Sequence, residues 1–135
     1  MGAWAEDTFG NDTACDWIGM FLDEPGLPAL LSAIQEVVES EEYLDSEEAC
    51  FALAACEAIA RLQGKWGLRN PYSENLDKWI ESNPTEIPDD LKLAAEKAID
   101  RILAPESELP EMWDDGGRNE AWHKSIDDLR VRVRG

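Results

Sequence analysis

The sequence predicts an all-α fold: one domain over residues 1–135, a compact bundle of about six to seven helices with an ordered irregular N-terminal arm. Three observations predict it. Apolar residues recur at three- and four-residue spacing through most of the chain, proline and glycine cluster between those stretches, and strand-like alternation occurs only near the C-terminal end. A chain of 135 residues buries one core of helices and is too short for two independent ones.

The arm carries Trp4 and Phe9. Two large aromatics near a chain end lose solvation free energy in water, so the arm is expected to tuck against the core. Asn11 or Asp12 can cap the first helix, which sets Ala14, Trp17, Ile18, Phe21 and Leu22 on one face. Asp23-Glu24-Pro25-Gly26 is a turn. A second helix follows with Pro28 in its opening turn, Leu27, Leu30, Leu31, Ile34, Val37 and Val38 inward, and Glu36, Glu39 and Ser40 outside.

The third helix is expected from about Glu47 to Gln63, capped by Asp45 or Ser46 and stopped by Gly64. Ala49, Ala52, Leu53, Cys56, Ile59 and Ala60 face inward. Its alanines permit close approach, which makes it the expected central helix. Glu57 borders the apolar stripe and requires a partner, for which Arg61, one turn on, is suited.

Gly67 and Pro71 break the pattern in a linker that Trp66, Leu68 and Tyr72 would lay over the core. A short helix around Ser73–Ser82 presents Leu76, Trp79 and Ile80. A longer one runs from Asp89 or Asp90 through Leu103, with Leu91, Ala94, Ala95, Ala98, Ile99 and Ile102 on one face and Pro105 closing it. Ser107 to Trp113 reads as a short helix capped by Ser107, ended by Asp114-Asp115-Gly116-Gly117. The last helix begins near Asn119 and aligns Trp122, Ile126, Leu129 and Val133. Leu129–Arg134 also alternates as a strand would, but no turn separates it from the helix, so a helical end is expected.

Met1-Gly2-Ala3-Trp4, Phe9, Asn11-Asp12 and Asp16-Trp17, with Ser107-Glu108-Leu109 and Met112-Trp113 far downstream, resemble the bacterial DUF4259 domain family over nearly the whole chain. Ala5 with Glu6 departs from the glycine that the family pattern usually places after the tryptophan. The family is a domain of unknown function, so the resemblance implies no chemistry.

Charge says more. The formal net charge is −18, and residues 1–60 hold fourteen carboxylates without one lysine or arginine. Such a field repels nucleic-acid phosphates and anionic membrane surfaces and attracts basic proteins or metal ions. Direct nucleic-acid binding and membrane association are therefore not expected, and no run of about twenty apolar residues provides a span. The opening residues lack the basic and apolar regions of a secretory signal, and Cys15, Cys50 and Cys56 sit in apolar helical patterns, so a reducing cytoplasmic setting is expected.

No stretch spells out a reaction. His123 is the one histidine and has no nucleophile in a recognisable setting, which points to packing or surface placement. Gly116-Gly117 lacks a preceding strand and adjoins acidic residues, so it is no phosphate cradle. Neither a cofactor nor a metal is expected. The leading expectation is a non-enzymatic interaction protein, of the immunity-protein or antitoxin kind, that binds a basic protein such as a toxin or nuclease. Its expected surface is Glu36, Glu39, Glu41, Glu42, Asp45, Glu47 and Glu48. The alternative is a small metal- or ligand-binding, enzyme-like domain using Asn11, Asp12, Asp16, Glu57, Ser107 and Glu108. In a third reading the charge serves solubility alone.

Overall fold

The computed structural model describes residues 12–67, 69, 71 and 73–135. Seven helices occur among them: α1 Asp12–Asp23, α2 Leu27–Val38, α3 Ser46–Leu62, α4 Glu74–Ser82, α5 Asp89–Leu103, α6 Glu108–Trp113 and α7 Glu120–Arg134. The fold is all-α, as the periodicity predicts. The N-terminal arm and the Asn11 cap lie outside the described residues, as do Leu68 and Tyr72.

α3 is the centre, touched by all six other helices. The sequence predicts a single inward stripe, but every residue from Ala52 to Arg61 is buried. The difference is physical: a helix walled on all sides has no solvent face, and five alanines between Ala52 and Ala60 let the neighbours come close. The Asp45 carboxylate accepts from the Glu48 N–H at 3.0 Å and starts the helix. It ends in a Schellman arrangement, with Lys65 N–H donating to the Ala60 carbonyl and Gly64 N–H to that of Arg61, while Gly64 takes the φ of 83° that such a stop requires.

α2, α5 and α7 pack in sequence around α3, α2 also against α5 and α5 also against α7, while α1 packs against α3 and α4. Phe21 joins α1 to α4: its ring stacks on Trp17 and meets the edge of Trp79, each at 5.1 Å between centroids. α7 stays helical to Arg134, so the alternating ending is not a strand. Trp113 stacks on Trp122 at 6.2 Å, and Trp66 packs partly buried against the core.

One predicted cap is corrected. Ser107 occupies the N-cap position of α6, but its hydroxyl accepts no capping bond and is buried without a hydrogen-bond partner among the described residues. The donors a cap would use explain the difference: in the parallel bridge between Leu44 and Ser107, Leu44 N–H donates to the Glu106 carbonyl at 2.9 Å and Glu108 N–H, at the first helical position, to the Leu44 carbonyl at 2.8 Å, while the third helical position is Pro110, which has no N–H.

Candidate functional site

The acidic segment between α2 and α3 is held by its backbone and leaves its carboxylates outward. Arg101, on α5, donates to the carbonyls of Glu42 at 2.6 Å and Ser40 at 3.5 Å, and also reaches those of Pro105 and Glu106. The Leu44–Ser107 bridge fixes the same segment from the other end, and the Glu108 carboxylate accepts the Ser46 N–H at 2.8 Å. Glu106 adopts φ 63°, a left-handed geometry that a non-glycine residue keeps only when its surroundings enforce it. Arg101 binds carbonyls and forms no ion pair with a carboxylate among the described residues, so the segment is ordered through its backbone.

Glu36, Glu39, Glu41, Glu42 and Glu47 are exposed, Asp45 is exposed at its cap, and Glu48 is half-buried. None of the seven enters an ion pair among the described residues. Burial raises the Glu48 carboxyl above its ordinary value, and the charges of Asp45, Glu36 and Glu47 push it further. Glu36, on α2, and Asp45 and Glu47, at the start of α3, therefore lie near enough to Glu48 to repel its charge. Tyr43 stands half exposed within the acidic segment, its hydroxyl donating to Glu111 at 2.7 Å and its pKa raised to about 12 by that hydrogen bond and by further negative charge.

The second polar concentration lies under the surface. Glu57, on α3, accepts from Arg61 at 2.9 Å and, through both oxygens, from Arg132 on α7 at 2.6 and 2.9 Å. Arg61 continues to Asp77 on α4 at 2.6 Å, and Asp77 accepts the Ser73 hydroxyl at 2.7 Å. Glu57, Arg61 and Asp77 are each 2% exposed. Gly67 seals the group from the linker, since a Cβ there would fall 2.7 Å from a Glu57 carboxylate oxygen. Arg61 was legible as the partner of Glu57 by spacing. Arg132 and Asp77 were not, because only the fold brings α7 and α4 to that side of α3.

The other polar candidates are dispersed. Asn11 lies outside the described residues, Asp12 and Asp16 are exposed on α1, Glu57 is committed to arginines, and Ser107 with Glu108 abuts the start of α3. No group of three or more His, Cys, Asp or Glu side chains that could hold a metal ion occurs among the described residues. Cys50 and Cys56 are buried, and burial pushes both thiols up, Cys50 to about 11, which keeps them protonated and weakly nucleophilic. His123 is paired with Asp114 at 2.8 Å and packs against the edge of Trp122.

Three shifts set the pH response. Burial alone would raise the Glu57 carboxyl, but hydrogen bonds and charge from Arg132, then Arg61, outweigh it and hold Glu57 below its ordinary value. The Asn119 N–H, then His123, lower Asp114 in the same way. Stability from a lowered carboxylate is present above its unfolded-state pKa and is lost as pH falls through the folded value; the raised Glu48 acts oppositely and gains stability on acidification. On acidification stability is expected first to rise, as Glu48 takes up its proton above the ordinary carboxylate range, and then to fall below about pH 4 as the lowered Glu57 and Asp114 are protonated. Urea unfolding across that range checks this, and a monotonic fall from pH 7 would contradict it.

The family model described as "Domain of unknown function (DUF4259)" matches residues 2–125, nearly the whole chain. The chain belongs to the DUF4259 family. No curated protein and no solved structure matches it at a significant level. The DUF4259 match spans the acidic segment, the Ser107-Glu108-Leu109 turn and the Glu57–Arg61–Asp77 group, and it ends within α7, seven residues before Arg132. No helix among the described residues is long and apolar enough to cross a membrane.

Proposed function

We propose that this DUF4259 protein is a non-enzymatic docking protein whose acidic surface, Glu36 to Glu48, binds a basic partner protein in the manner of an immunity protein or antitoxin. One observation carries the reading: the segment is clamped through its backbone while its seven carboxylates are left without ion pairs among the described residues. Charge serving only solubility needs no fixed geometry. A preorganised acidic face speeds encounter with a cationic surface and loses little entropy when it docks. Tyr43 supplies the half-exposed aromatic that such interfaces use as an anchor.

The test compares two variants with equal loss of charge. E39Q/E41Q/E42Q removes three charges from the surface, and E86Q/D115N/D127N removes three exposed acids elsewhere. A basic protein captured from the native lysate at low salt and identified is then titrated against both. The surface variant is expected to weaken binding about tenfold or more and to flatten its salt dependence, with less than about twofold change for the other. Equal effects would reduce the charge to a bulk property, and no effect would remove the surface from the interface.

A further inference from the structure

Arg69 stands outside the acidic surface, against one aromatic ring and two carboxylates. Its guanidinium carbon lies 4.3 Å from the centre of the Trp66 ring. Its Nε is 3.5 Å from Asp77 Oδ2, and a terminal nitrogen is 3.2 Å from Glu81 Oε1. An aromatic ring and two carboxylates around one position suit a flat, delocalised cation better than a compact ammonium. A cleft of about 450 Å3 opens there, lined by Arg69, Pro71, Glu74, Asp77, Lys78 and Glu81. Lys78 points to Glu74, at 4.0 Å, and leaves the other carboxylates to the guanidinium.

The receptor side is fixed and the occupant is loose. Asp77 is held by Arg61 at 2.6 Å and by the Ser73 hydroxyl at 2.7 Å, both independent of Arg69, and Trp66 packs against the core. Arg69 itself is 47% exposed, against 2% for Arg61, and its contacts with the carboxylates are long. Withdrawal of Arg69 leaves the buried Asp77 carboxylate and, beside it, the Trp66 ring, over which Arg61 also lies at 5.8 Å.

We propose that the Trp66–Asp77–Glu81 corner is a guanidinium-binding site, filled within the chain by Arg69 and taken by an incoming guanidinium when Arg69 swings out. No residue of the acidic surface takes part, so the site stands or falls apart from the docking reading. The ligand class is a guanidino compound, either free or as the arginine side chain of a polypeptide.

The experiment titrates agmatine, at matched ionic strength, into the wild type, R69A and R69M, following the indole signal of Trp66 by NMR and the thermal midpoint. R69M removes the guanidinium but keeps a shorter aliphatic stem for the linker should R69A lose packing. With the internal competitor removed, both variants are expected to bind agmatine about tenfold more tightly than the wild type. Adding E81Q to either is expected to weaken binding about threefold, and cadaverine, an ammonium, to bind about fivefold more weakly than agmatine. A blocked Gly-Arg-Gly peptide that binds comparably assigns the site to arginine side chains; binding of agmatine alone assigns it to small guanidino compounds. Agmatine that leaves the Trp66 signal and the thermal midpoint of both variants unchanged overturns the proposal, as does equal affinity for wild type and variants, and Arg69 is then a staple for the linker.

Discussion

R61M is expected to lose about 3–5 kcal/mol of folding stability, the usual cost of removing one partner from a buried, hydrogen-bonded ion group. Arg61 is 2% exposed and joins two carboxylates that are equally buried. Without it Glu57 keeps Arg132, but Asp77 faces methionine where it had a 2.6 Å charge-assisted bond and retains only Ser73 and the looser Arg69. Urea unfolding followed by far-UV circular dichroism gives the value from the shift in midpoint at constant slope. The double variant R61M/D77L removes both members of that pair and is expected to recover part of the loss, because most of the single-variant cost is an uncompensated buried charge. A loss under about 1 kcal/mol for R61M would place the group in the range of exposed ion pairs and contradict its burial.

F21A is expected to cost about 3–5 kcal/mol by a different mechanism, lost transfer free energy plus an unfilled cavity. Phe21 is 1% exposed, with Trp17 stacked on it and Trp79 nearly perpendicular to it, so the gap is walled by two rings that cannot collapse into it easily. The same unfolding measurement checks the loss, and near-UV circular dichroism should report loosened tryptophans. Met20, its neighbour, is 57% exposed, and M20A should stay within about 0.5 kcal/mol. Since a domain of this kind has about 5–15 kcal/mol of total stability, either large variant leaves a much smaller margin.

The helices were legible because their signals are local. Leu27, Leu30, Ile34 and Val37 state a helical face by spacing alone, and Asp45, Gly64 and Asn119 mark ends by side-chain or backbone chemistry that acts within a few residues. The acidic surface was legible for the same reason, as a run of carboxylates between two helices. Its clamp was not. Arg101 binds carbonyls 59 and 61 positions away, and nothing in the neighbourhood of an arginine on an amphipathic helix announces a carbonyl target. Asp77 sat unnoticed between Leu76 and Ile80 because an acid on an apolar face becomes intelligible only when a buried cation from another helix is seen opposite it. Ser107 has the residue type of a helix cap, but the cap also needs free donors, and here Glu108 N–H is taken by Leu44 and Pro110 has none.

The Arg132–Glu57 pair links positions 75 residues apart, and that separation has a consequence in time. On the ribosome the chain emerges from its N-terminus, so Glu57 appears long before Arg132 does. Until then the α3 carboxylate has Arg61 alone, and the side that α7 will cover is open to water. A nascent chain short of residue 132 thus displays a half-compensated charge on the helix that is the most buried in the finished domain, and the side of α3 that α7 covers closes only when that last helix docks.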